Sequence, residues 1–164
     1  MNGPSTSQNR SLNTPLIAPE CEAQLRRDAE SQGVEKFVLA PFIMDEKERL
    51  LVLRRNLDED FLPGFWEIPG GGLEAGERFE EALVRETKEE TGGKVVAVGS
   101  ESGTFDYLDG KGRKTRQFNF HVTLEQPFHP VLTEHCELAW IEKKEVGQFL
   151  MSEEMRQVVL SAWK

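Results

Sequence analysis

An α+β sandwich is the fold class this sequence predicts, and three observations carry it. Strand-like apolar runs joined by hairpin turns are mixed along the chain with helical stretches, and no internal repeat is present. The length of 164 residues, with 38% hydrophobic and 30% charged residues, suits one domain with a real core. Finally, one long segment with helical spacing ends at the glycine pair Gly92-Gly93 and lies between strand-like stretches.

Taken in order, residues 1–19 are rich in Ser, Thr, Asn, Gln and Pro. They hold too little apolar surface to offset their ordering entropy, which predicts a flexible tail. Residues 20–32 favour a short helix ending at Gly33, so residues 1–33 form an N-terminal tail with a short helix and the domain proper spans 34–164. The apolar run from Phe37 to Ile43, the charged turn Asp45–Glu48 and the run Arg49–Arg55 predict a hairpin. After the loop Asn56–Gly64, Trp66-Glu67-Ile68-Pro69 leads into Gly70, Gly71 and Gly72. A helix is expected over 78–91. Residues 94–98 and 103–108 flank a bent or interrupted strand, the turn Asp109–Gly112 leads to a partner strand over Thr115–Leu124, and Cys136–Ile141 is one more strand. Helices over Lys143–Leu150 and Ser152–Trp163 close the chain, the second with Ser152 at its start and two glutamates in its first turn.

Composition excludes several function classes. With 20 Lys+Arg against 29 Asp+Glu the net charge is −9, which argues against general nucleic-acid binding. A small phosphorylated ligand stays open if a metal supplies positive charge. No apolar run approaches the ~18–20 residues of a membrane span, and the polar opening residues carry no signal-peptide core. Two distant cysteines, Cys21 and Cys136, make neither a disulfide framework nor a zinc cluster, so a reducing, cytoplasmic location is expected.

The chemistry concentrates in Gly70–Gly93, which holds seven Glu against three Lys+Arg. At ~100° per residue, Glu86, Glu89 and Glu90 fall within an arc of roughly 100° on one helix face, while Phe79 and Leu83 share another face able to pack on a sheet. A Glu-rich helix is more often a solvated surface than a metal site. The glycines shift that balance, because they permit close backbone approach, so that a carbonyl can join the carboxylates around a hard cation.

The segment resembles the signature of the MutT-like Nudix hydrolases, Gly-x5-Glu-x7-Arg-Glu-U-x-Glu-Glu-x-Gly-U, where U is a bulky apolar residue. Gly71, Glu77, Arg85, Glu86, Glu89, Glu90 and Gly92 supply every glycine and polar position, and the two U positions hold Thr87 and Gly93 instead. The resemblance implies a Nudix-type α/β/α sandwich with a mixed sheet, and hydrolysis of a pyrophosphate bond in a nucleoside diphosphate linked to another group. It implies Gly70, Glu86, Glu89 and Glu90 as metal ligands, Glu77 as the residue that closes the loop–helix turn or reaches an additional ion, and Arg85 as the residue orienting the acidic cluster. The cofactor implied is Mg²⁺, with Mn²⁺ as a substitute. Proton acceptance falls to Glu86 or to an acid outside the motif. Glu134, in the loop before the strand ending near Trp140, is the candidate, and His135 is expected at the surface.

Substrate contacts are less marked. Arg54, Arg113, Lys114 and Arg116 lie on strands or a turn able to approach phosphate, and Phe42, Phe65, Tyr107, Phe118 and Phe120 are candidates for stacking on a base. Arg54, Arg116 and Phe118 are put forward as the binding set. A nucleoside triphosphate, oxidised or not, cleaved to monophosphate and pyrophosphate is the leading substrate. ADP-ribose or a dinucleoside polyphosphate, a non-catalytic nucleotide-sensing or interaction module, and an isoprenoid-diphosphate isomerase using Cys136 are the alternatives. The expected partner is a small nucleotide, with no membrane and no general nucleic-acid binding, on a monomer or homodimer.

Overall fold

The computed structural model describes residues 14–164. Residues 1–13 of the expected tail therefore lie outside the described residues. Three helices, α1 (Pro19–Ser31), α2 (Phe79–Thr91) and α3 (Glu153–Ser161), join eight strands: β1 (Lys36–Phe42), β2 (Leu50–Arg55), β3 (Trp66–Glu67), β4 (Gly71–Gly72), β5 (Val95–Glu101), β6 (Phe105–Leu108), β7 (Lys114–Leu124) and β8 (His135–Ile141). The larger sheet runs β4-β1-β7-β5, with β6 extending the β5 side along β7, and the smaller sheet runs β3-β2-β8. Because β1 and β7 are parallel while the other pairs are antiparallel, the sheet is mixed.

Alternation along β1 and β7 builds the layers. Leu39, Phe118 and Phe120 face α1 and α2, where they bury Phe79, Ala82 and Leu83 together with Leu25 and Ala29 of α1. Ala40 and Phe42 face the opposite way, against Leu50, Val52 and the α3 residues Met155, Val158 and Val159. Each fully buried Phe or Leu contributes ~1.5–3 kcal/mol of transfer free energy. No helix among the described residues is long and apolar enough to cross a membrane.

Four expectations need correction. The turn at Asp45–Glu48 forms, but its two strands part company. They share the Met44–Leu50 bridge and the Leu51 N–H to Ile43 bond, after which β1 belongs to the larger sheet and β2 to the smaller. Both edges of β1 are already occupied by β7 and β4, which leaves no ladder for β2. Residues 14–33 are no loose tail either, since Ile17, Leu25 and Ala29 pack into the core. The glycines, expected only to permit close backbone approach, also form a strand, because Gly71 and Gly72 pair with Leu39 and Val38. The stretch after β8 is a 3-10 helix over Lys143–Gln148, shortened where Gly147 weakens helix continuation.

Helix α1 also supplies what α2 lacks. Arg78, the N-cap, has no side-chain acceptor, and Glu22 of α1 accepts the Phe79 N–H at 2.6 Å instead. A carboxylate at this end suits the helix dipole. At the other end Gly92 takes the left-handed conformation at φ 77°, and the Thr91 and Glu89 carbonyls accept from Val131 N–H and Thr133 Oγ1. Thr87 and Gly93, which hold the two departures from the signature, are accommodated. Thr87 Oγ1 donates to the Leu83 carbonyl at 2.6 Å, and Leu124 and Phe128 fill the space beside Gly93.

Candidate active site

Glu86 and Glu90 lie one turn apart on the buried side of α2, facing the Gly70–Gly71 backbone. A Cβ on Gly71 would fall 2.3 Å from the Glu86 carboxyl carbon, so only glycine lets this carboxylate come so near. Glu90 Oε2 accepts the Gly70 N–H at 2.8 Å. Glu89 stands on the same helix with a 59% exposed side chain, at the rim.

Arg85 organises this cluster. It bonds Glu77 through Nε and Nη2, Glu86 Oε1 through Nη1 at 2.6 Å, and the Gly72 carbonyl through Nη2 at 2.9 Å, with Glu89 Oε2 at 3.4 Å. Glu77 also accepts the Glu74 N–H at 3.0 Å, which closes the turn before the helix. The Glu77 hydrogen bond holds the Arg85 guanidinium more firmly protonated than usual, and the same pair keeps the Glu77 carboxyl below its ordinary range. Burial pushes the Glu86 carboxyl up against the pull of Arg85. Glu90 has only a backbone N–H, and burial pushes it up to about 8, with Glu67 and Glu86 adding to the rise.

The cluster opens on a cleft of about 230 Å³ lined by Lys36, Arg55, Glu67, Gly70–Gly72, Glu90, Tyr107, Gln117, Glu134 and His135. Glu134 stands here because Thr133 ties its loop to the end of α2 and Asn56 Nδ2 donates to its carbonyl at 2.7 Å. A second cavity of about 440 Å³ shares Arg55, Glu67, Tyr107 and Gln117 with the first, and adds Phe61, Leu62, Phe105 and Met155.

Among the described residues no three His, Cys, Asp or Glu side chains converge closely enough to hold a metal ion unaided. The donor set nevertheless fits a hard cation. It consists of oxygens from two buried carboxylates beside a half-buried glycine backbone, and among the described residues no Lys or Arg pairs with Glu90, only the nearby His135 opposing its burial.

The substrate candidates fare differently. Phe118 is 1% exposed and its ring lies 5.1 Å from that of Phe79, so it is core and cannot stack on a base. Phe42 and Phe120 are core as well. Arg116 points away from the cleft and is held by both Asp106 oxygens and by Gln32. Arg54 turns to the Gly64 carbonyl and Glu137, leaving its neighbour Arg55 in the cleft against Glu67 and Glu59. A register shift between Arg54 and Arg55 accompanies that reversal. His135 is not a surface residue: its side chain is 6% exposed and Nε2 lies 3.0 Å from Glu67 Oε1. Burial works to depress the His135 imidazole, but the Glu67 hydrogen bond and the Glu90 charge hold it above the ordinary histidine value. Lys36, Arg55, Glu67, Gln117 and His135 are thus site residues that local sequence patterns did not mark, while Tyr107 was only one of five aromatic candidates.

Comparison with known proteins agrees with this geometry. The family model for the NUDIX domain matches residues 36–161. The nucleoside triphosphatase NudI of Escherichia fergusonii is 27% identical, over 70% of this chain and 87% of its own. NudI of an Escherichia coli strain is 33% identical over 56% of this chain and 67% of its own. Among solved structures, the MutT protein from Methanosarcina mazei superposes with a TM-score of 0.68 at 25% identity, covering 77% of this chain and 91% of that one. The E. coli ORF135 protein gives 0.62 at 26%, covering 79% and 91%. With the family model spanning most of its length, the chain belongs to the Nudix family, as a MutT-like hydrolase of pyrophosphate bonds.

Proposed function

We propose that this enzyme hydrolyses a nucleoside triphosphate to the monophosphate and pyrophosphate, with Mg²⁺ held by Glu86, Glu90 and the Gly70 carbonyl and with Glu89 reaching in from the rim. The observation that carries this reading is the pair of buried carboxylates facing the Gly70–Gly71 backbone, one anchored by Arg85 and the other bonded only by the Gly70 N–H. The activity of the NudI relatives supports the substrate class. Bound there, a divalent cation supplies positive charge to phosphoryl oxygens and lowers the pKa of a water molecule.

The protein's own residues do the rest. Arg85 holds Glu86 in place, and Lys36 and Arg55 bring positive charge to the phosphate end of the cleft. Glu134, or Glu86 itself, stands ready to take the proton of the attacking water. The second cavity offers Phe61, Phe105 and Tyr107 to a base, and it joins the cleft where a sugar would lie.

A hydrolysis panel of nucleotides with MgCl₂, comparing wild type with Glu90→Gln, tests the proposal. The substitution keeps an acceptor for the Gly70 N–H but removes the charge. Turnover of a nucleoside triphosphate should fall by about two orders of magnitude or more while the fold survives. Mg²⁺ should raise the melting temperature of wild type and not that of the variant. Equal rates in the two proteins would overturn the metal assignment, and cleavage confined to ADP-ribose or dinucleoside polyphosphates would overturn the substrate class.

A further inference from the structure

One residue of β7, Gln117, lines both cavities, and the face of the strand to which it belongs is polar. Thr115, Gln117 and Asn119 are buried there, with 0%, 6% and 0% exposure. Since the other face of the strand buries Phe118 and Phe120, simple alternation would give these three residues to solvent. Enclosed polar side chains cost ~1–3 kcal/mol each unless they are bonded, so each calls for a partner.

Two of the three are accounted for. Thr115 Oγ1 donates to the Arg113 carbonyl at 3.1 Å. Asn119 Nδ2 donates to the carbonyls of Ser102 and Gly103, at 3.2 and 3.0 Å. Carbonyls only accept, so the Asn119 amide has one allowed orientation and its Oδ1 faces Gln117. Gln117 must then turn its Nε2 to that oxygen, at 2.8 Å. This relay leaves Gln117 Oε1 pointing the other way, with no hydrogen-bond partner among the described residues. The oxygen is not sealed off, because Gln117 lines both the phosphate cleft and the apolar cavity.

We infer that Gln117 Oε1 accepts a hydrogen bond from a sugar hydroxyl of the nucleotide, so that Gln117 sets the site's preference for hydroxylated sugars. The inference rests on the nucleotide reading above. The phosphates belong at the Glu90 end of the cleft, and the base belongs beside Phe105 and Tyr107, whose rings stack at 5.4 Å. Gln117 is the direct cross-strand partner of Phe105 and stands between these two ends. A fixed acceptor there gains nothing from phosphate oxygens or ring carbonyls, which also accept. A hydroxyl donates, and the sugar is the part of the ligand that carries hydroxyls at this point.

The test compares ATP, GTP, CTP and UTP with their 2′,3′-dideoxy counterparts on wild type and Gln117→Met, by kcat/KM and by calorimetric binding of the α,β-methylene analogues. Wild type should favour the hydroxylated substrate about tenfold or more, the worth of one buried hydrogen bond. In Gln117→Met that ratio should collapse toward one, a change that a merely structural role for Gln117 would not produce. If wild type treats the two sugar types alike, the inference fails without any variant being needed. It also fails if the variant keeps the ratio, or if no nucleotide binds. Discriminating binding without hydrolysis would leave the Gln117 assignment standing and overturn the triphosphatase reading instead.

Discussion

Arg85 and Glu77 are joined by two parallel hydrogen bonds, Nε to Oε2 at 2.8 Å and Nη2 to Oε1 at 2.9 Å. The pair clamps the turn before α2 to the helix that carries the acidic cluster. The Arg85 Nη1 left over reaches Glu86, so the position of the Glu86 carboxylate depends on a planar fork held from the far side.

Arg85→Lys tests that dependence. An ammonium is a point charge and cannot span Glu77, Glu86 and the Gly72 carbonyl at once. Loss of orientation at a metal-facing carboxylate typically costs about 10–100-fold in activity, and kcat should fall by that much with KM little altered. Steady-state kinetics beside a thermal melt decide it. A variant that melts like wild type and turns over at the wild-type rate would show that charge alone suffices at this position.

The acidic helix, its glycine stop and the Arg85–Glu77–Glu86 spacing were legible because they are local, set by residues within one turn or loop of each other. What stayed hidden depends on distant partners. Whether β2 follows β1 in one sheet is decided by β7 and β4 occupying both edges of β1, and no period along residues 36–55 encodes that. The choice between Arg54 and Arg55 turns on a register shift against β8. The alternation of β7 was visible, but polar residues facing inward look the same in sequence as polar residues facing water. Helix α1 read as part of a tail because its small apolar face gains meaning only against Phe79 and Leu83.

The two tight turns share a spacing, Asp45-x-Lys47-x-Arg49 and Asp109-x-Lys111-x-Arg113. In each, one carboxylate oxygen accepts the N–H groups two and four residues on, and the other accepts from the arginine side chain. The Arg113 N–H, with help from the Arg113 side chain and the Lys111 N–H, holds the Asp109 carboxyl down at about 2. A carboxyl depressed in the folded state contributes stability that is present above its unfolded value of about 3.9 and is lost as pH falls toward 2. Asp109→Asn should therefore melt below wild type at pH 7, with the gap closing between about pH 4 and pH 2. Melting curves across that window check it, and a gap that persists at pH 2 would assign the stability to turn geometry rather than to charge.

The same two turns differ at their fourth residue. Gly112 adopts φ 75° and Glu48 adopts φ 59°, so one turn uses glycine in the left-handed region and the other does not. For a residue with a Cβ this conformation costs ~1–2 kcal/mol. Glycine avoids that cost, while its greater freedom in the unfolded chain takes back ~0.5–1 kcal/mol. Glu48→Gly should then stabilise the protein by up to ~1 kcal/mol in urea unfolding, and the Trp163 Nε1 bond to the residue-48 carbonyl survives the change. A lowered unfolding midpoint would mean that the Glu48 side chain contributes more than its backbone strain takes away.

Gly71→Ala probes the approach of Glu86 most directly. The added methyl would sit 2.3 Å from the Glu86 carboxyl carbon and 2.4 Å from both of its oxygens, well inside contact distance. The carboxylate is the movable partner, since Gly71 is held in register with Leu39. Glu86 should swing away from the glycine backbone and strain its bond to Arg85. A misplacement of about 1 Å at a reacting centre costs on the order of 10²-fold, so kcat should drop by about that factor. Because the methyl replaces no buried group, the fold should persist, with far-UV circular dichroism unchanged. The Mg²⁺-induced rise in melting temperature should shrink along with the rate. Full activity in Gly71→Ala would mean that Glu86 works from a different position, and Glu90 would then have to anchor the cation without it.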